Sequence, residues 1–204
     1  MAKRNKKLDR GVFHLIAPIY SWFYNSQKRN YSEIIDILQE HINILQYKNI
    51  VDIGCGTGAM CSVLNKRGFN VTGVEPVKNM LNIGKKKQEN NGINFVQASA
   101  LEKTPFNDKS FDVSIASYVT HGLKEQERKL IYNEMNRLTK KLIIIYDYNE
   151  TRAFFTDIIE WLEGGDYFNF IKNVKKEMNE NFSSVNIINI NSHASLYVCV
   201  PKKP

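Results

Sequence analysis

The sequence predicts a doubly wound α/β fold, in which a mostly parallel sheet ends in an antiparallel hairpin and an N-terminal helical cap precedes the sheet. Short runs of β-branched and aromatic residues alternate with segments of helical periodicity from residue 49 onward. A glycine-rich loop follows the first such run, as loops do at the ligand-binding edge of a parallel sheet. Only residues 191–193 separate the last two runs, a spacing at which strands pair antiparallel.

The elements follow one another with clear turn signals. Residues 8–47 have apolar side chains at helical spacing, and Ser32 resembles a helix start within them. Helices are predicted directly after the glycine loop, at 77–87 and at 124–138. Strands are predicted at 49–53, 70–74, 93–96, 111–116, 141–146, 184–190 and 194–200.

The composition is that of a globular domain. The chain has 204 residues, of which 43% are hydrophobic and 24% charged, and this excludes disorder of the whole chain. We expect one domain over 1–204, with a flexible basic arm at 1–10, the N-terminal helical cap at 11–47 and the ligand-binding core at 48–204. The arm holds five basic residues and one acid, so +4 of the net charge of +7 lies there. The remaining lysines are scattered, which disfavours a nucleic-acid partner.

The chain has no apolar run near the ~20 residues that a membrane-spanning helix needs. Its basic start is interrupted by Asp9, Arg10 and His14, so no secretory signal is predicted. Three cysteines without metal-ligand spacing indicate reduced thiols and a cytoplasmic location. Four histidines lie far apart in the sequence, and no metal site is predicted.

The glycine loop at 54–58 is the most informative stretch. Asp52 precedes it on a strand that should be buried, where a carboxylate needs a partner. A ligand with an ammonium group would justify this acid, whereas a dinucleotide brings a pyrophosphate to such a loop. Gly54, Gly56 and Ala59 also fit the dinucleotide pattern, so an NAD-dependent oxidoreductase is an alternative. Asp52 and the terminal hairpin argue against it.

These residues resemble the class I S-adenosylmethionine (SAM) dependent methyltransferases. The first motif of that family, acid-x-Gly-x-Gly-x-Gly, is matched by Asp52 and the three glycines of residues 54–58. Glu75, before Pro76, matches the family's acid at the end of the second strand. The resemblance covers about residues 12 to 200. It implies a Rossmann-like sheet of seven strands, with SAM as methyl donor and S-adenosylhomocysteine (SAH) as product.

Further motifs support the resemblance, and two positions depart from it. Residues 105–112 are similar to the family's entry into the fourth strand, and Arg137-Leu138 to the end of its following helix. Ser99 stands near the place where the family often has an aspartate for the adenine amine. Lys140-Lys141 replaces a frequent Gly-Gly turn, where we expect only a local loop change.

The resemblance implies a set of cofactor-binding residues. Asp52 would hold the amino end of SAM, directly or through water, and Glu75 would accept bonds from the ribose hydroxyls. Tyr20, in the aromatic N-terminal segment, would contact the methionine end. The whole set is Tyr20, Asp52, Gly54, Gly56, Gly58, Glu75, Pro76, Ser99, Ala100, Leu101 and Ser117.

Candidates for the chemistry follow the fourth strand. Methyl transfer is an in-line displacement, and a base is needed only where the acceptor must lose a proton. We expect His121 to be a general base, and Tyr118 to line the pocket or face the sulfonium. The alternatives are that His121 caps or packs at the next helix and that Tyr118 is a packing aromatic. Asp147 would hold the acceptor or cap a helix, and residues 161–168 are a second candidate lid or a plain turn.

The predicted function is methyl transfer to a small-molecule acceptor by a monomer or homodimer. The resemblance is closest to the branch that methylates quinones and small metabolites. Two alternatives remain besides the oxidoreductase: a non-catalytic SAM-binding sensor or partner subunit, and an RNA methyltransferase guided by the basic arm. The absence of an Asn-Pro-Pro-Tyr run argues against a nucleic-acid substrate.

Overall fold

The computed structural model of the chain describes residues 5–151 and 166–202, with side chains described from Phe23 onward. Within these residues the helices are α1 (Asn5–His41), α2 (Ala59–Lys66), α3 (Lys78–Lys85), α4 (Glu125–Leu138) and α5 (Tyr167–Asn181). The strands are β1 (Asn49–Ile53), β2 (Asn70–Val74), β3 (Asn94–Val96), β4 (Phe111–Ser117), β5 (Thr139–Tyr148), β6 (Ser184–Asn189) and β7 (Ala194–Val200).

The strands form one sheet in the order β3-β2-β1-β4-β5-β7-β6. Strands β1 to β5 pair in parallel, while β7 runs antiparallel to both β5 and β6. The predicted fold class is therefore confirmed, including the antiparallel hairpin at the end of the chain. No described helix is long and apolar enough to cross a membrane.

Helices cover both faces of the sheet, which explains why the central strands carry buried apolar residues at consecutive positions, as at 143–145 in β5. Alternate residues of a strand point to opposite faces. On β5, Ile144 and Tyr146 join the core under α1 and α2, whereas Ile143 and Ile145 join the core under α4 and α5.

The N-terminal cap is one long helix, and the predicted helix start at Ser32 is wrong. Ser32 lies well inside α1, where its hydroxyl and its carbonyl accept hydrogen bonds from Arg67 at 3.0 Å each. Its side chain therefore joins α1 to the residue that follows α2 instead of capping a helix. A single 3₁₀ turn, Ile44–Gln46, connects α1 towards β1.

The junction of α4 and β5 contains no loop. Helix α4 ends at Leu138, and β5 begins at the next residue, Thr139, whose buried hydroxyl donates to Ser114 at 2.8 Å. The local change expected at Lys140-Lys141 is thus the loss of the turn. Strand β5 starts two residues earlier than predicted and ends two residues later, which places Asp147 inside the strand.

Candidate active site

The candidate site lies along the edge where the parallel strands end. The turn after β1 carries the glycine loop at 54–58, and the turn after β2 carries Glu75. The turn after β4 carries the loop 118–124, while β5 ends beside it. Ligands bind at this edge in open α/β sheets.

The three glycines of the loop adopt backbone conformations that disfavour side chains. Their φ angles are +70° at Gly54, +55° at Gly56 and +80° at Gly58. A Cβ atom on Gly54 would lie 2.6 Å from Val119 Cγ2, and one on Gly58 would lie 2.7 Å from Phe95 Cζ. A Cβ on Gly56 would have no atom of the described chain within 4 Å. Gly56 is therefore the loop glycine that borders open space, where a ligand can approach the backbone.

Glu75 fixes the shape of the loop. Its Oε2 accepts a hydrogen bond from the N–H of Gly56 at 3.0 Å, and its Oε1 accepts one from the N–H of Val77 at 2.9 Å. Burial raises the pKa of the Glu75 carboxyl, against the lowering effect of these two bonds. Each carboxylate oxygen has a second lone pair, so ribose hydroxyls could still donate to it.

Asp52 lies beneath the loop in β1 and is 2% exposed. The thiol of Cys61 donates to its Oδ2 at 3.2 Å. Burial, together with the charge of Glu75, raises the pKa of the Asp52 carboxyl to about 7, while the bond from Cys61 acts to lower it. A buried carboxylate without an opposite charge nearby is energetically costly. An ammonium group of a ligand near Asp52 would supply that opposite charge.

The segment after β3 offers small and neutral groups. Ser99 Oγ accepts a hydrogen bond from the N–H of Leu101 at 3.3 Å, and Ala100 is buried between them. Pro76 is exposed at the end of β2, and its carbonyl accepts from Gln97 Nε2 at 3.3 Å. These residues follow the adjacent strands β2 and β3. They therefore lie close enough together to border one planar group, such as the adenine ring that the resemblance implies.

The residues on this edge fit the cofactor that the resemblance implies. The open space at Gly56 leaves room for a ligand against the backbone, and Glu75 is held in a fixed orientation by backbone donors. Asp52 is an acid without a basic partner among the hydrogen bonds described for it. Tyr20 and residues 161–165 lie outside the described side chains.

His121 and Asp147 form a hydrogen-bonded pair at the ends of β4 and β5. His121 Nδ1 lies 2.7 Å from Asp147 Oδ1. The side chain of Asp147 is 1% exposed and that of His121 is 13% exposed. A carboxylate at this distance selects the tautomer with the proton on Nδ1, which leaves Nε2 as the basic nitrogen.

Asp147 is held from several sides. Its Oδ2 accepts bonds from the backbone N–H and the hydroxyl of Thr120 at 2.9 and 2.7 Å, and from the N–H of His121 at 3.2 Å. Its Oδ1 also accepts from the N–H of Tyr148 at 2.9 Å. Burial acts to raise the pKa of Asp147, but the charge and hydrogen bond of His121 and the Thr120 hydroxyl lower it overall. Asp147 therefore stays ionised and orients the imidazole.

One of the alternatives for these residues is wrong, while the helix that Asp147 would cap lies largely outside the described residues. Within the described residues the Asp147 carboxylate accepts from Thr120 and pairs with His121, and Asn149 Oδ1 accepts from the Thr151 N–H at 2.8 Å. His121 does not cap α4, whose N-cap residue is Lys124.

Tyr118 has an unusual backbone. Its φ is +54°. This conformation is energetically unfavourable for any residue other than glycine, and it persists only when neighbouring groups enforce it. Its N–H donates to the Tyr146 carbonyl at 2.8 Å, and its hydroxyl donates to the Tyr146 hydroxyl at 3.2 Å. Burial raises the pKa of the Tyr118 hydroxyl far above its ordinary value, with the Tyr146 bond acting in the same direction. The phenol therefore stays neutral.

Aromatic rings line the edge around the pair. The Tyr148 ring stands edge-on to the His121 ring at 4.8 Å and to the Tyr118 ring at 5.2 Å between centroids. The hydroxyl of Ser117, at the end of β4, is buried with no hydrogen-bond partner in the described part of the chain. The structure thus brings Ser117, Tyr118 and His121 together beside β5.

Sequence reasoning missed two polar contacts of this region. One is the bond from the buried thiol of Cys61 to Asp52. Arg128, one turn into α4, binds Glu177 of α5 across 49 residues of sequence, and no local pattern signals such a pair.

Comparison with known proteins finds similar methyltransferases. A family model described as "Methyltransferase domain" matches residues 51–145, which include the glycine loop, Glu75 and the loop after β4. The chain is 29% identical over 195 residues to a ubiquinone biosynthesis O-methyltransferase of Rickettsia bellii, covering 90% of this chain and 75% of that protein.

Two solved structures share the fold. A protein of Pyrococcus horikoshii superposes with a TM-score of 0.69 at 17% identity, covering 83% of this chain and 88% of that one. The magnesium protoporphyrin IX methyltransferase of Synechocystis, solved with bound SAH, superposes with a TM-score of 0.66 at 15% identity. The match covers 86% of this chain and 83% of that one.

Proposed function

Because the chain is a class I SAM-dependent methyltransferase, we propose that it methylates a small-molecule acceptor and that His121 removes the acceptor's proton. SAM supplies an activated methyl group on a sulfonium. The residues of the chain have to align the acceptor, exclude water and, where the acceptor is a hydroxyl or thiol, take its proton.

The single observation that carries the proposal is the His121–Asp147 pair. The distance of 2.7 Å between Nδ1 and Oδ1 supports a fixed tautomer with Nε2 as the base. The bonds from Thr120 keep the carboxylate in place while the imidazole gains a proton. The carboxylate also stabilises the imidazolium that forms.

The surroundings of the pair support a small and partly apolar acceptor. Tyr118 and Tyr148 present aromatic edges to His121, and burial keeps the Tyr118 phenol neutral. We assign Tyr118 to the wall of the acceptor site and not to proton transfer. The Rickettsia relative named above is, by its name, an O-methyltransferase of ubiquinone biosynthesis, and a small hydroxyl acceptor suits a site of this kind.

At the cofactor side we propose the roles that the resemblance implies. Gly56 lets the ligand reach the backbone, Glu75 accepts from the ribose hydroxyls, and Asp52 faces the amino end. Ser99, with Ala100 and Leu101, borders the adenine.

The experiment that tests the proposal measures SAH formed from SAM in the presence of catechols, hydroquinones, thiols and a folded RNA. We expect turnover with a small hydroxyl or thiol acceptor and none with RNA. His121→Gln should lower kcat by about 10²- to 10⁴-fold with such an acceptor. Its SAH affinity, measured by calorimetry, should stay within about twofold of the parent, a factor worth only ~0.4 kcal/mol.

The matched control is His41→Gln, because His41 lies at the exposed end of α1 and bonds only to its own helix at the Ile37 carbonyl in the described contacts. This variant should keep the parent's kcat. Methylation of RNA alone would overturn the small-molecule proposal. Full turnover of a hydroxyl acceptor by His121→Gln would overturn the role of His121 as base.

A further inference from the structure

Arg128 is a charged side chain in the interior, and it lies in α4 next to the candidate site. The residue is 0% exposed. Its Nε and Nη2 atoms donate to the two carboxylate oxygens of Glu177 at 2.7 and 2.6 Å, so the pair joins α4 to α5 in bidentate fashion. A buried ion pair of this kind adds little net stability compared with apolar packing, so stability alone is a weak explanation for it.

The remaining nitrogen of Arg128 reaches beyond the helix pair. Nη1 donates to the backbone carbonyl of Leu123 and to Oδ2 of Asp166 at 2.9 Å. Leu123 belongs to the turn 120–123, which follows β4 and is closed by the bond from the Leu123 N–H to the Thr120 carbonyl at 3.2 Å. Asp166 is the N-cap residue of α5. One guanidinium thus holds a turn and a helix start together.

Both of these contacts lead to His121. The turn 120–123 contains His121 itself, and Thr120 of that turn donates to Asp147. On the other side, the first residue of α5 is Tyr167, whose ring packs edge-on against Tyr148 at 5.0 Å. The Tyr148 ring in turn packs against the His121 ring at 4.8 Å.

We propose that Arg128 is a positioning residue that holds the turn 120–123 and the start of α5 in register, so that the His121 imidazole stays on Asp147. This inference rests on the proposed function of His121. Lysine could not replace Arg128, because the three N–H donors of an ammonium all lie on one nitrogen. The four bonds to Glu177, Leu123 and Asp166 start from three nitrogens of the planar guanidinium.

The test follows the His121 ring by NMR of the full chain with ¹⁵N-labelled histidine and bound SAH, with the signal assigned by its loss in His121→Gln. Two variants are compared with the parent: Arg128→Lys, and the double variant Arg128→Met with Glu177→Met, which leaves no unpaired buried charge. We expect the Nδ1 proton of His121 to exchange with solvent about tenfold faster or more in both, because the turn opens more often. SAH affinity should stay within about twofold, a change of ~0.4 kcal/mol.

The matched control is Arg137→Lys. Arg137 lies on the same helix and also binds one glutamate through two nitrogens, with Glu134 at 2.7 and 2.6 Å, but it sits at the far end of α4. This control should leave the His121 signal unchanged. An unaltered Nδ1 exchange rate in both Arg128 variants would overturn the proposal. An equal effect of Arg137→Lys would also overturn it, since the change would then reflect general loss of stability.

The readout separates this inference from the proposed function. If His121→Gln methylates a hydroxyl acceptor at the parent's rate, His121 is not the base, yet the exchange rate still reports whether Arg128 holds the ring. If the exchange rate is unaltered while His121→Gln is inactive, the proposed function stands and the role of Arg128 fails.

Discussion

The Oε2 atom of Glu75 lies 3.0 Å from the backbone nitrogen of Gly56, so the acid at the end of β2 holds the loop at the end of β1. The second oxygen of the same carboxylate holds Val77, one residue before α3. Glu75 therefore has a structural task besides any contact with the ribose. Its substitution affects the shape of the cofactor site as well as its chemistry.

Glu75→Gln tests this double task. A glutamine side chain has one acceptor oxygen, so one of the bonds to Gly56 and Val77 is lost. We expect SAH affinity to fall by about 10- to 100-fold, since a hydrogen bond to a charged group is worth roughly 1.5–3 kcal/mol. Calorimetry measures the affinity. Glu89→Gln is the control, because Glu89 pairs with Lys28 at the surface, and unchanged affinity in Glu75→Gln itself would contradict the assignment.

Gly56→Ala and Gly58→Ala should separate ligand binding from folding. Both positions have positive φ, which costs an alanine of the order of 1–2 kcal/mol. At Gly58 the new methyl also meets the Phe95 ring at 2.7 Å, so we expect the larger drop in melting temperature there. At Gly56 the methyl enters open space, so the drop should be smaller while SAH binding is lost. Thermal unfolding with and without SAH measures both, and equal behaviour of the two variants would refute the distinction.

SAH binding should become tighter as the pH rises towards 7. In the free protein, burial raises the pKa of Asp52 to about 7 from an ordinary 3.8, so the folded state takes up a proton between these values. Its contribution to stability consequently falls as the pH rises through this window. A ligand ammonium favours the carboxylate, so binding below pH 7 releases the proton, and affinity should gain up to about tenfold per pH unit.

Calorimetry in buffers of different ionisation heat detects the released proton. Asp52→Asn should abolish the release and flatten the pH dependence. Glu75→Gln serves as the comparator, because the pKa of Glu75 is raised as well and its carboxyl lies near Asp52. Proton release that persists in Asp52→Asn and vanishes in Glu75→Gln would move the titration from Asp52 to Glu75.

Asp147→Asn should lower the free energy of unfolding at neutral pH and make that free energy less dependent on pH in the acid range. The folded pKa of Asp147 lies below 3.8, so its stabilising effect is present above that value and is lost as the pH falls through the folded pKa. The substitution takes the carboxylate charge away from its contacts with His121 and Thr120. We expect the free energy of unfolding at pH 7 to fall by roughly 2–5 kcal/mol.

Urea unfolding between pH 2 and 7 measures this prediction. The control is Asp112→Asn. The pKa of the Asp112 carboxyl is also lowered, but this carboxylate lies away from the site and accepts bonds from the N–H groups of Lys48 and Asn49. Both variants should show a shallower acid slope, and only Asp147→Asn should change the His121 NMR signal. An acid slope in Asp147→Asn as steep as the parent's would count against the assignment.

Much of the fold could be predicted because turns mark the ends of its strands. The bounds of β1, β2 and β7 agree with the prediction, since Gly54 follows β1, Asn70 begins β2 two residues after Gly68, and Pro201 follows β7. Strand β5 was predicted two residues short at each end. Its extra residues, such as Thr139 and Tyr148, are polar or aromatic, and their place in a strand is decided by pairing with β4 and β7.

The candidate site was predictable in its parts and not in its connections. The glycines, Glu75 and His121 stand next to strands that the sequence marks. The link of His121 to Asp147 spans 26 residues, and that of Arg128 to Glu177 spans 49. Such pairs follow from how helices and strands pack, which periodicity along the chain does not specify.

Strand β7 buries the half of β5 that carries Asp147. It pairs with β5 in a fixed register that opposes Ser195 to Asp147 and Ala194 to Tyr148. A slip of β7 by one residue would turn its own side chains to the opposite face of the sheet and take Leu196 and Val198 out of the core under α1 and α2. Residues 194–200 contain no candidate site residue, yet they complete the core on which the end of β5 rests, so an inserted residue there should lower activity although it lies outside the candidate site.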